Sequence, residues 1–379
     1  MRRRDEDETE DPVRFQRRAA AIGLVAAGAL LFSACGSDNN SGGSTPQASG
    51  VTCGGKQALK ASGSTAQANA ITGFVNTFEQ TCNGQTVNYT ASGSGAGVND
   101  FIGGQTDFAG SDAALSAAET PKAQQRCTSA PLDLPMVFGP IAIAYNVPGV
   151  TDLALDGPTL AKVFNGTVRT WNDPAVAALN PGKNLPTAPI VVNFRSDESG
   201  TTQNFQTYLN AASNNAYGKP AAKTFNGGTG VGARGSQGVT DATKSTPNSI
   251  AYIEASFAQK AKLPTASIIN AGGGQPVPLS TDNVGKAIDS VKVTGQGNDL
   301  TLDLSSLYKT ATPGAYPIAL ATYEVVCTKY SDPQAGRAVK AFLQTALSPQ
   351  AQGTLTQGGY VPIPEAFKQR LTTSVNAIS

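Results

Sequence analysis

The sequence predicts an α/β protein folded as two lobes. Short apolar segments typical of strands alternate with amphipathic stretches typical of helices, which is the pattern of an α/β fold. The chain has 379 residues, and the roughly 345 that follow a predicted leader exceed what one hydrophobic core usually supports. An apolar content of 40% is enough for packed cores. These observations favour a globular body with two domains.

The predicted elements follow in order along the chain. Apolar residues recur at helical spacing between Ile71 and Phe78, and a continuous apolar run at 140–146 (PIAIAYN) is typical of a buried strand that crosses between lobes. Strands are predicted at 57–61, 86–89, 106–109, 140–146, 190–194 and 319–327. Helices are predicted at 66–79, from the SGSGAG segment through Phe101, at 158–164, through Phe205 and Leu209, and at 336–347.

Four predicted strand-to-helix turns carry serine, threonine and glycine. They are Gly63-Ser64-Thr65, Ser92-Gly93-Ser94-Gly95, Gly110-Ser111-Asp112 and Ser199-Gly200-Thr201. Hydroxyl groups beside the unpaired N–H groups of a helix start make an anion site without a formal cation. Each turn alone is better explained as an ordinary helix cap. Four such turns together with Arg195 favour an anion-binding site.

Charge and composition exclude several function classes. Lys and Arg number 28 against 27 Asp and Glu, so the basic footprint of a nucleic-acid-binding protein is missing. The chain contains no histidine, which removes Ser-His-Asp and Cys-His catalysis and His-ligated metals. Neither a metal nor a cofactor is predicted.

The N-terminal segment has the pattern of an export signal. Residues 19–31 are apolar, arginines precede them, and small residues lead to Cys35. This run is too short to span a bilayer and has the length of a signal-peptide core. The residues around Cys35 resemble a lipobox, so we expect residues 1–34 to be a signal peptide and Cys35 to carry the lipid. Residues 35–50 are a low-complexity, flexible tether.

The remaining cysteines are even in number. Cys53, Cys82, Cys127 and Cys327 would lie in an oxidising compartment, where disulfides form, and four cysteines allow three pairings. The pairing of Cys53 with Cys82 is favoured, because the predicted first strand and first helix bring their outer ends together. Cys127 with Cys327 then follows by elimination. Free buried thiols are the alternative.

Several motifs resemble those of the phosphate-binding proteins of ABC importers, from about Leu59 to Ile363. The matching segments are ASGSTAQ (61–67), YTASGSGAGV (89–98), TDFAGSDAAL (106–115), VFNGTVRTWNDPAVAALNPGKNLP (163–186), FRSDESGTTQNFQTYL (194–209) and TPNSIAYIE (246–254). The resemblance implies a two-lobed fold of the type II periplasmic-binding-protein class. Its lobes would be discontinuous and joined by a two-crossing hinge.

The resemblance also implies a ligand set. The phosphate-binding residues would be Thr65, Ala66, Ser94, Asp112, Arg195, Ser199, Gly200 and Thr201, with Ala66 and Gly200 acting through their backbone N–H groups. Ser64 would support the first turn, and Asp197 would pair with Arg195 and hold its guanidinium. Glu198 stands where glycine is frequent in the family, and we expect its side chain to point to solvent.

Asp112 would set the selectivity. A carboxylate repels an anion unless the ligand brings a proton. Hydrogen phosphate carries a P–OH donor, whereas sulfate at neutral pH has none, so an acceptor in a donor-lined pocket selects against sulfate. The main alternative within the same class is a binding protein for another tetrahedral oxyanion, such as sulfate or molybdate.

An enzyme is the alternative from another class. A phosphohydrolase would use Ser94 or Ser199 as nucleophile, but no histidine or evident metal cluster is available to activate either serine. We therefore predict no enzymatic activity and no catalytic residue. Residues 230–235 (GVGARG) match G-x-G-x-x-G, but the residues before them do not read as a buried strand, so a dinucleotide site is not predicted.

The resemblance places the protein in a transport system. One lobe would comprise residues 51–134 plus 316–379 and the other residues 135–315. The protein would be a monomer, lipid-anchored at the outer face of the cytoplasmic membrane. Its partners would be inorganic phosphate and the membrane permease subunits of an ABC importer. The ATPase would be a separate subunit, because the chain has no Walker A sequence.

Overall fold

The computed structural model describes residues 50–379. The predicted signal peptide, the lipidated Cys35 and the tether apart from Gly50 lie outside the described residues. Residues 50–379 all belong to one compact unit. Within the described part of the chain, no helix is long and apolar enough to cross a membrane.

Strands and helices alternate through this unit, as the sequence predicts. The strands are β1 (Ala58–Gly63), β2 (Thr86–Thr90), β3 (Phe108–Ser111), β4 (Pro131–Asn146), β5 (Ala154–Asp156), β6 (Val191–Arg195), β7 (Val231–Ala233), β8 (Ser249–Glu254), β9 (Ser267–Ile269), β10 (Lys292–Val293), β11 (Leu302–Asp303) and β12 (Ala319–Cys327).

The helices range from one turn to four turns. They are α1 (Ala68–Thr81), α2 (Ser94–Ile102), α3 (Thr120–Cys127), α4 (Gly157–Phe164), α5 (Pro174–Ala177), α6 (Gly200–Ala212), α7 (Gly235–Ser245), α8 (Ala255–Ala261), α9 (Thr281–Ile288), α10 (Ser305–Tyr308), α11 (Pro333–Ala346), α12 (Pro349–Gln357) and α13 (Glu365–Asn376). The predicted helices and strands are present, with ends shifted by a few residues except at the start of β4.

Eight strands form one sheet in the order β2-β1-β3-β12-β4-β8-β6-β7. On one side, β1 lies between β2 and β3 and is parallel to both. On the other side, β6 lies between β7 and β8 and is parallel to both. Because side-by-side parallel strands end at the same edge, the turns that follow β1, β2 and β3 lie together. The mixed α/β prediction is confirmed.

The long strand β4 joins the two sides of the sheet. Its first part pairs with β12 and its last six residues pair with β8, both antiparallel. The switch falls at Ile141, whose N–H donates to the carbonyl of Ile318 at 2.9 Å. The prediction of a strand at 140–146 was too short by nine residues. Prolines 131 and 135 argue against a central strand, but the pairing with β12 shifts register beside Pro135, and a bulge tolerates proline there.

Two disulfides join the pairs of cysteines that the sequence favours. Cys53 bonds Cys82 and closes the outer ends of β1 and α1. Cys127 bonds Cys327 and ties the end of α3 to the end of β12, 200 residues later. The predicted connectivity is confirmed.

Candidate functional site

The turns after β1 and β3 lie in direct backbone contact. A Cβ atom on Gly63 would lie 1.9 Å from the carbonyl oxygen of Gly110, and one on Gly97 would lie 2.3 Å from the Cα of Gly63. Gly63 also has a φ of +143°, which a side chain would strain. Glycine at these positions therefore brings the first three turns together.

The first turn contributes Ser64, Thr65 and Ala66. The Ser64 hydroxyl donates to Oδ1 of Asp112 at 2.5 Å and accepts the N–H of Ala66 at 3.1 Å. The Thr65 hydroxyl bonds the Ser236 hydroxyl at 2.8 Å and accepts the Ser236 N–H at 3.0 Å. Helix α1 begins only at Ala68 and has no side-chain cap. The helix-cap explanation therefore does not apply to Ser64 or Thr65.

Ser94 opens α2 and links two distant turns. Its Oγ accepts the N–H of Asp112 at 3.2 Å and the N–H of Gly200 at 3.1 Å. A serine oxygen accepts two hydrogen bonds and donates one. Both acceptor positions of Ser94 are thus occupied by backbone groups, and its proton is the group left to donate to a ligand.

Asp112 lies at the centre of the cluster with 2% of its surface exposed. Its carboxylate accepts the hydroxyls of Ser64, of Thr322 at 2.8 Å and of Thr201 at 2.8 Å. Burial raises the pKa of Asp112 above its ordinary value, although these three hydroxyls and the charge of Arg195 act to lower it. Since a carboxylate has about four acceptor sites, the three hydroxyls leave about one for a ligand.

The third turn corrects one expectation. The chain does not enter a helix after Gly110-Ser111-Asp112, because α3 begins only at Thr120. Asp112 therefore caps no helix, and its carboxylate bonds side chains from three separate elements. The sequence pattern therefore identified Asp112 correctly but predicted a helix start that the structure does not have.

The guanidinium of Arg195 is fixed by Asp197, as the resemblance implies. Nε donates to Oδ1 at 2.7 Å and Nη2 donates to Oδ2 at 2.5 Å. Desolvation raises the pKa of Asp197, but the hydrogen bonds and the charge of Arg195 outweigh it, so the pKa lies below its ordinary value. The N–H of Gly235 also donates to Asp197, at 2.9 Å. Arg195 itself is 3% exposed.

The fourth turn begins α6. Ser199 is its N-cap and accepts the N–H of Thr202 at 3.2 Å, so the cap explanation holds for this hydroxyl. Gly200 directs its N–H to Ser94, and Thr201 directs its hydroxyl to Asp112. Glu198 is exposed, as expected, and its carbonyl accepts the N–H of Gly95 at 3.1 Å.

All the residues of the implied ligand set come together and are buried. They are Thr65, Ala66, Ser94, Asp112, Arg195, Ser199, Gly200 and Thr201. Side-chain contacts that join the β1–β3 turns to residues from the β6–β7 side include Thr65 with Ser236, Ser94 with Gly200, and Asp112 with Thr201.

Sequence reasoning missed three residues of this cluster. Thr322 lies within the apolar strand β12, and only strand register brings its hydroxyl to Asp112. Ser236 follows the glycine-rich 230–235 segment and contacts Thr65. Asn204 donates to the carbonyl of Asp112 at 2.6 Å. No local pattern marks Thr322, because β12 also carries Tyr323 and Glu324.

A cavity adjoins the cluster but is distinct from it. Of the implied ligand residues it shares only Asp112, and its other walls include Glu119, Asn204, Lys223 and Tyr308. Among residues 50–379, no group of three or more acidic, cysteine or histidine side chains could hold a metal ion. The cluster combines hydrogen-bond donors with the guanidinium of Arg195 and the carboxylates of Asp112 and Asp197.

Curated relatives match this chain along nearly its whole length. The phosphate-binding protein PstS 3 of Mycobacterium leprae is 58% identical over 371 residues, covering 97% of this chain and 100% of the relative. PstS 2 of Mycobacterium tuberculosis is 52% identical with the same coverage. PstS of Methanocaldococcus jannaschii is 30% identical and covers 84% of this chain and 86% of the relative.

Solved structures agree with the fold. A high-affinity periplasmic phosphate-binding protein (PfluDING) bound with phosphate has a TM-score of 0.67 and 25% identity, covering 86% of this chain and 99% of that one. A phosphate ABC transporter substrate-binding protein from Clostridium perfringens has a TM-score of 0.58 and 16% identity, covering 81% and 100%, and supports the fold alone. The PBP superfamily domain profile matches residues 39–350. The chain therefore belongs to the PBP superfamily and, within it, to the family of the PstS phosphate-binding proteins.

Proposed function

We propose that this protein captures inorganic phosphate and delivers it to an ABC importer. The observation that carries the proposal is the buried cluster in which Arg195, held by Asp197, and a ring of hydroxyl and N–H donors surround the single carboxylate of Asp112. Relatives that are 52–58% identical are named phosphate-binding proteins, which supports the same ligand.

The donors match a tetrahedral oxyanion. The Arg195 guanidinium has further N–H groups besides the two that donate to Asp197. Its planar geometry allows two of them to bind two phosphate oxygens at once. The hydroxyls of Ser94, Ser199 and Thr65 supply further donors. The N–H groups of Ala66 and Gly200, which the resemblance assigned to the ligand, donate instead to Ser64 and Ser94 in this structure. Charge-assisted hydrogen bonds contribute about 1.5–3 kcal/mol each. Several such bonds together account for the binding free energy of roughly −8 kcal/mol of a micromolar complex, after the entropy lost on binding is subtracted.

Asp112 distinguishes phosphate from sulfate. The remaining acceptor site of its carboxylate accepts a hydrogen bond from a ligand that carries a P–OH group. The same carboxylate repels an anion that has only acceptor oxygens. This favours hydrogen phosphate or dihydrogen phosphate over sulfate and molybdate. A hydrolytic activity is not favoured, because the hydroxyls of Ser94 and Ser199 accept backbone N–H groups and neither donates to a described carboxylate.

The proposed capture mechanism is closure of two lobes. One lobe comprises residues 51–134 and 316–379, the other residues 135–315, and the crossings lie near Ile141 and Ile318. Contacts between the lobes, such as Ser94 with Gly200, form on closure and exclude water, which strengthens the bonds to the ligand. The closed form then presents one surface to the permease.

The remaining proposals concern the cellular setting. The protein works as a monomer at the outer face of the cytoplasmic membrane, anchored by a lipid on Cys35 after removal of residues 1–34. It is a binding protein without catalytic activity, and a separate subunit hydrolyses ATP. The two disulfides suit this oxidising location.

A calorimetric titration of residues 50–379 with phosphate, arsenate and sulfate tests the function. Phosphate and arsenate, which both carry an acidic proton, are expected to bind in the micromolar range or tighter, and sulfate at least about a hundredfold more weakly. Sulfate binding as tight as phosphate binding would refute the assignment of the ligand.

A further inference from the structure

A second buried carboxyl group lies behind the anion site. Glu324 on β12 is 1% exposed, and neither of its oxygens has a hydrogen-bond partner among the described residues. The Oε1 atom of Gln67 is also buried and unpartnered. Three orphaned acceptors in a chain whose other buried polar groups are almost all bonded need a physical explanation.

These orphaned atoms lie together. Glu324 is the direct cross-strand partner of Gly110 on β3, and directly opposed residues project from the same face of a sheet. A Cβ atom on Gly110 would lie 2.0 Å from Nε2 of Gln67 and 2.6 Å from the hydroxyl of Tyr89. The missing side chain of Gly110 thus makes room for Gln67 and Tyr89 beside Glu324.

The hydrogen bonds of Tyr89 fix the orientation of Gln67. The Tyr89 hydroxyl has one proton, which it donates to the carbonyl oxygen of Ser64 at 2.8 Å. It must therefore accept from its other neighbour, Nε2 of Gln67, at 3.1 Å. Oε1 of Gln67 is left without a donor, and the second N–H of Nε2 makes no hydrogen bond with Glu324, because neither oxygen of Glu324 has a partner among the described residues. An ionised Glu324 would add only acceptors, whereas a protonated Glu324 supplies the missing donor.

We propose that Glu324 is a positioning residue of the anion site, held as a neutral carboxylic acid that donates its proton to Gln67. The chain of hydrogen bonds then runs from Glu324 through Gln67 and Tyr89 to Ser64, whose hydroxyl holds Asp112. Loss of the Glu324 proton places a buried negative charge behind Asp112 and weakens capture of the anion. This inference rests on the proposed phosphate site.

The groups that face Glu324 support the neutral form. Burial, helped by the negative charge of Asp112 directly after β3, raises the pKa of Glu324 to about 8, and the polar amide of Gln67 nearby acts to lower it. Tyr89, from β2, has a pKa well above its ordinary value, chiefly because it is buried, and stays neutral. Gln67 at the start of α1 carries no charge. No cation is among the groups that act on the pKa of Glu324.

The direction of the pH effect follows from this pKa. Glu324 binds its proton more tightly in the folded protein than in the unfolded chain. Its contribution to stability is fully present below the unfolded value of about 4.5 and is lost as the pH rises through about 8. Anion affinity is expected to fall over the upper end of the same window.

The test compares Glu324→Gln with the wild type. A glutamine amide donates to Gln67 as the protonated acid does, but it cannot ionise. Phosphate affinities are measured by calorimetry from about pH 6.5 to about pH 9.5, and the ratio of the two proteins cancels the ionisation of phosphate itself. Equal affinity is expected near pH 6.5 and an advantage of about tenfold for Glu324→Gln near pH 9. A ratio that stays constant across this range would overturn the proposal.

Two controls separate positioning from a general structural effect. Glu365→Gln changes a glutamate that is 88% exposed and is expected to follow the wild type at every pH. Glu324→Leu keeps the bulk but removes the donor, and it is expected to bind phosphate at least about fivefold more weakly than Glu324→Gln at every pH. Equal binding by the leucine and glutamine variants would refute the role of the donor.

An infrared measurement tests the proton without any ligand. The difference spectrum between the wild type and Glu324→Gln at neutral pH is expected to contain the carbonyl band of a protonated carboxylic acid, and the band is expected to disappear as the pH rises through about 8. Its absence would overturn the proposal even if phosphate binds. Its presence in a protein that does not bind phosphate would refute the proposed function and the positioning role, while confirming the neutral acid.

Discussion

The two sides of the anion site use different chemistry. The turns after β1, β2 and β3 bring hydroxyls, backbone N–H groups and the carboxylate of Asp112, with no cation among the ligand residues there. The turn after β6 brings Arg195, neutralised in part by Asp197, and the start of α6. This difference shows that attraction of the anion and discrimination between anions reside on different sides of the site. One side supplies the positive charge that attracts any oxyanion, and the other supplies the acceptor that only a protonated oxyanion satisfies.

Removing the cation has the largest expected effect. Arg195→Ala deletes the charged donors and leaves Asp197 unpaired beside an anion, so phosphate affinity is expected to fall by more than about a hundredfold. Arg195→Lys keeps the positive charge but not the planar guanidinium, so it is expected to retain only part of the wild-type affinity. Calorimetry gives both affinities, and circular dichroism checks folding. Micromolar phosphate binding by Arg195→Ala would show that Arg195 is not the main source of attraction for the anion.

Neutralising the acceptor changes selectivity more than affinity. Asp112→Asn turns an acceptor-only carboxylate into an amide with N–H donors, so the ratio of phosphate to sulfate affinity is expected to fall by at least about tenfold. Competition titrations with both anions measure the ratio. An unchanged ratio of phosphate to sulfate affinity in this variant would show that Asp112 does not discriminate between the two anions.

A methyl group between the two sides tests their closure. A Cβ atom on Gly95 would lie 2.2 Å from Oε2 and 2.5 Å from Cβ of Glu198. Gly95→Ala is expected to weaken phosphate binding by about tenfold without unfolding the protein, since overpacking costs about 1–3 kcal/mol. Adding Glu198→Gly, which removes both clashing atoms, is expected to restore much of the loss.

The matched control is Gly285→Ala. Beyond its chain neighbours and the backbone of its own helix, this glycine has no atom within 4 Å of the added methyl group, so the substitution is expected to leave phosphate affinity unchanged. If Gly95→Ala binds phosphate as tightly as Gly285→Ala does, the two sides do not approach each other at Gly95 in the bound form.

The disulfides are expected to affect binding least. Both lie in the part of the chain that carries the β1–β3 turns and away from the ligand residues. Replacing Cys53 and Cys82 by alanine is expected to lower the free energy of unfolding by about 2–4 kcal/mol, with phosphate affinity changed less than about twofold. Urea unfolding and calorimetry measure the two quantities. A large loss of affinity would mean that the first turn depends on this disulfide for its position.

Predictions made from local sequence were accurate where a single segment decides the contact. The resemblance implied the pairing of Arg195 with Asp197, which lies two positions later, and the position of Ser199 at a helix start follows from the glycine and threonines after it. The turn glycines mark where strands end. The prediction for β4 was too short because a bulge, which sequence alone does not reveal, accommodates Pro135.

Contacts between distant segments needed the tertiary structure. Thr322 reaches Asp112 across 210 positions and Ser236 reaches Thr65 across 171. The neighbourhood of Glu324 exists because strand register sets it opposite Gly110. No local pattern marks these residues, because their roles depend on which strands pair and in what register.

The sequence by itself determined the class of fold and the side chains of the four hydroxyl-rich turns, since strand ends and turn glycines are local properties of the chain. It favoured the disulfide pairs, which the structure then confirmed. The tertiary structure decided how those side chains share their protons. It directed the Gly200 N–H to Ser94, placed three hydroxyls on Asp112, and buried Glu324 without a partner. The physical reason is that a buried polar group takes the nearest available partner, and packing of the whole sheet decides which partner that is.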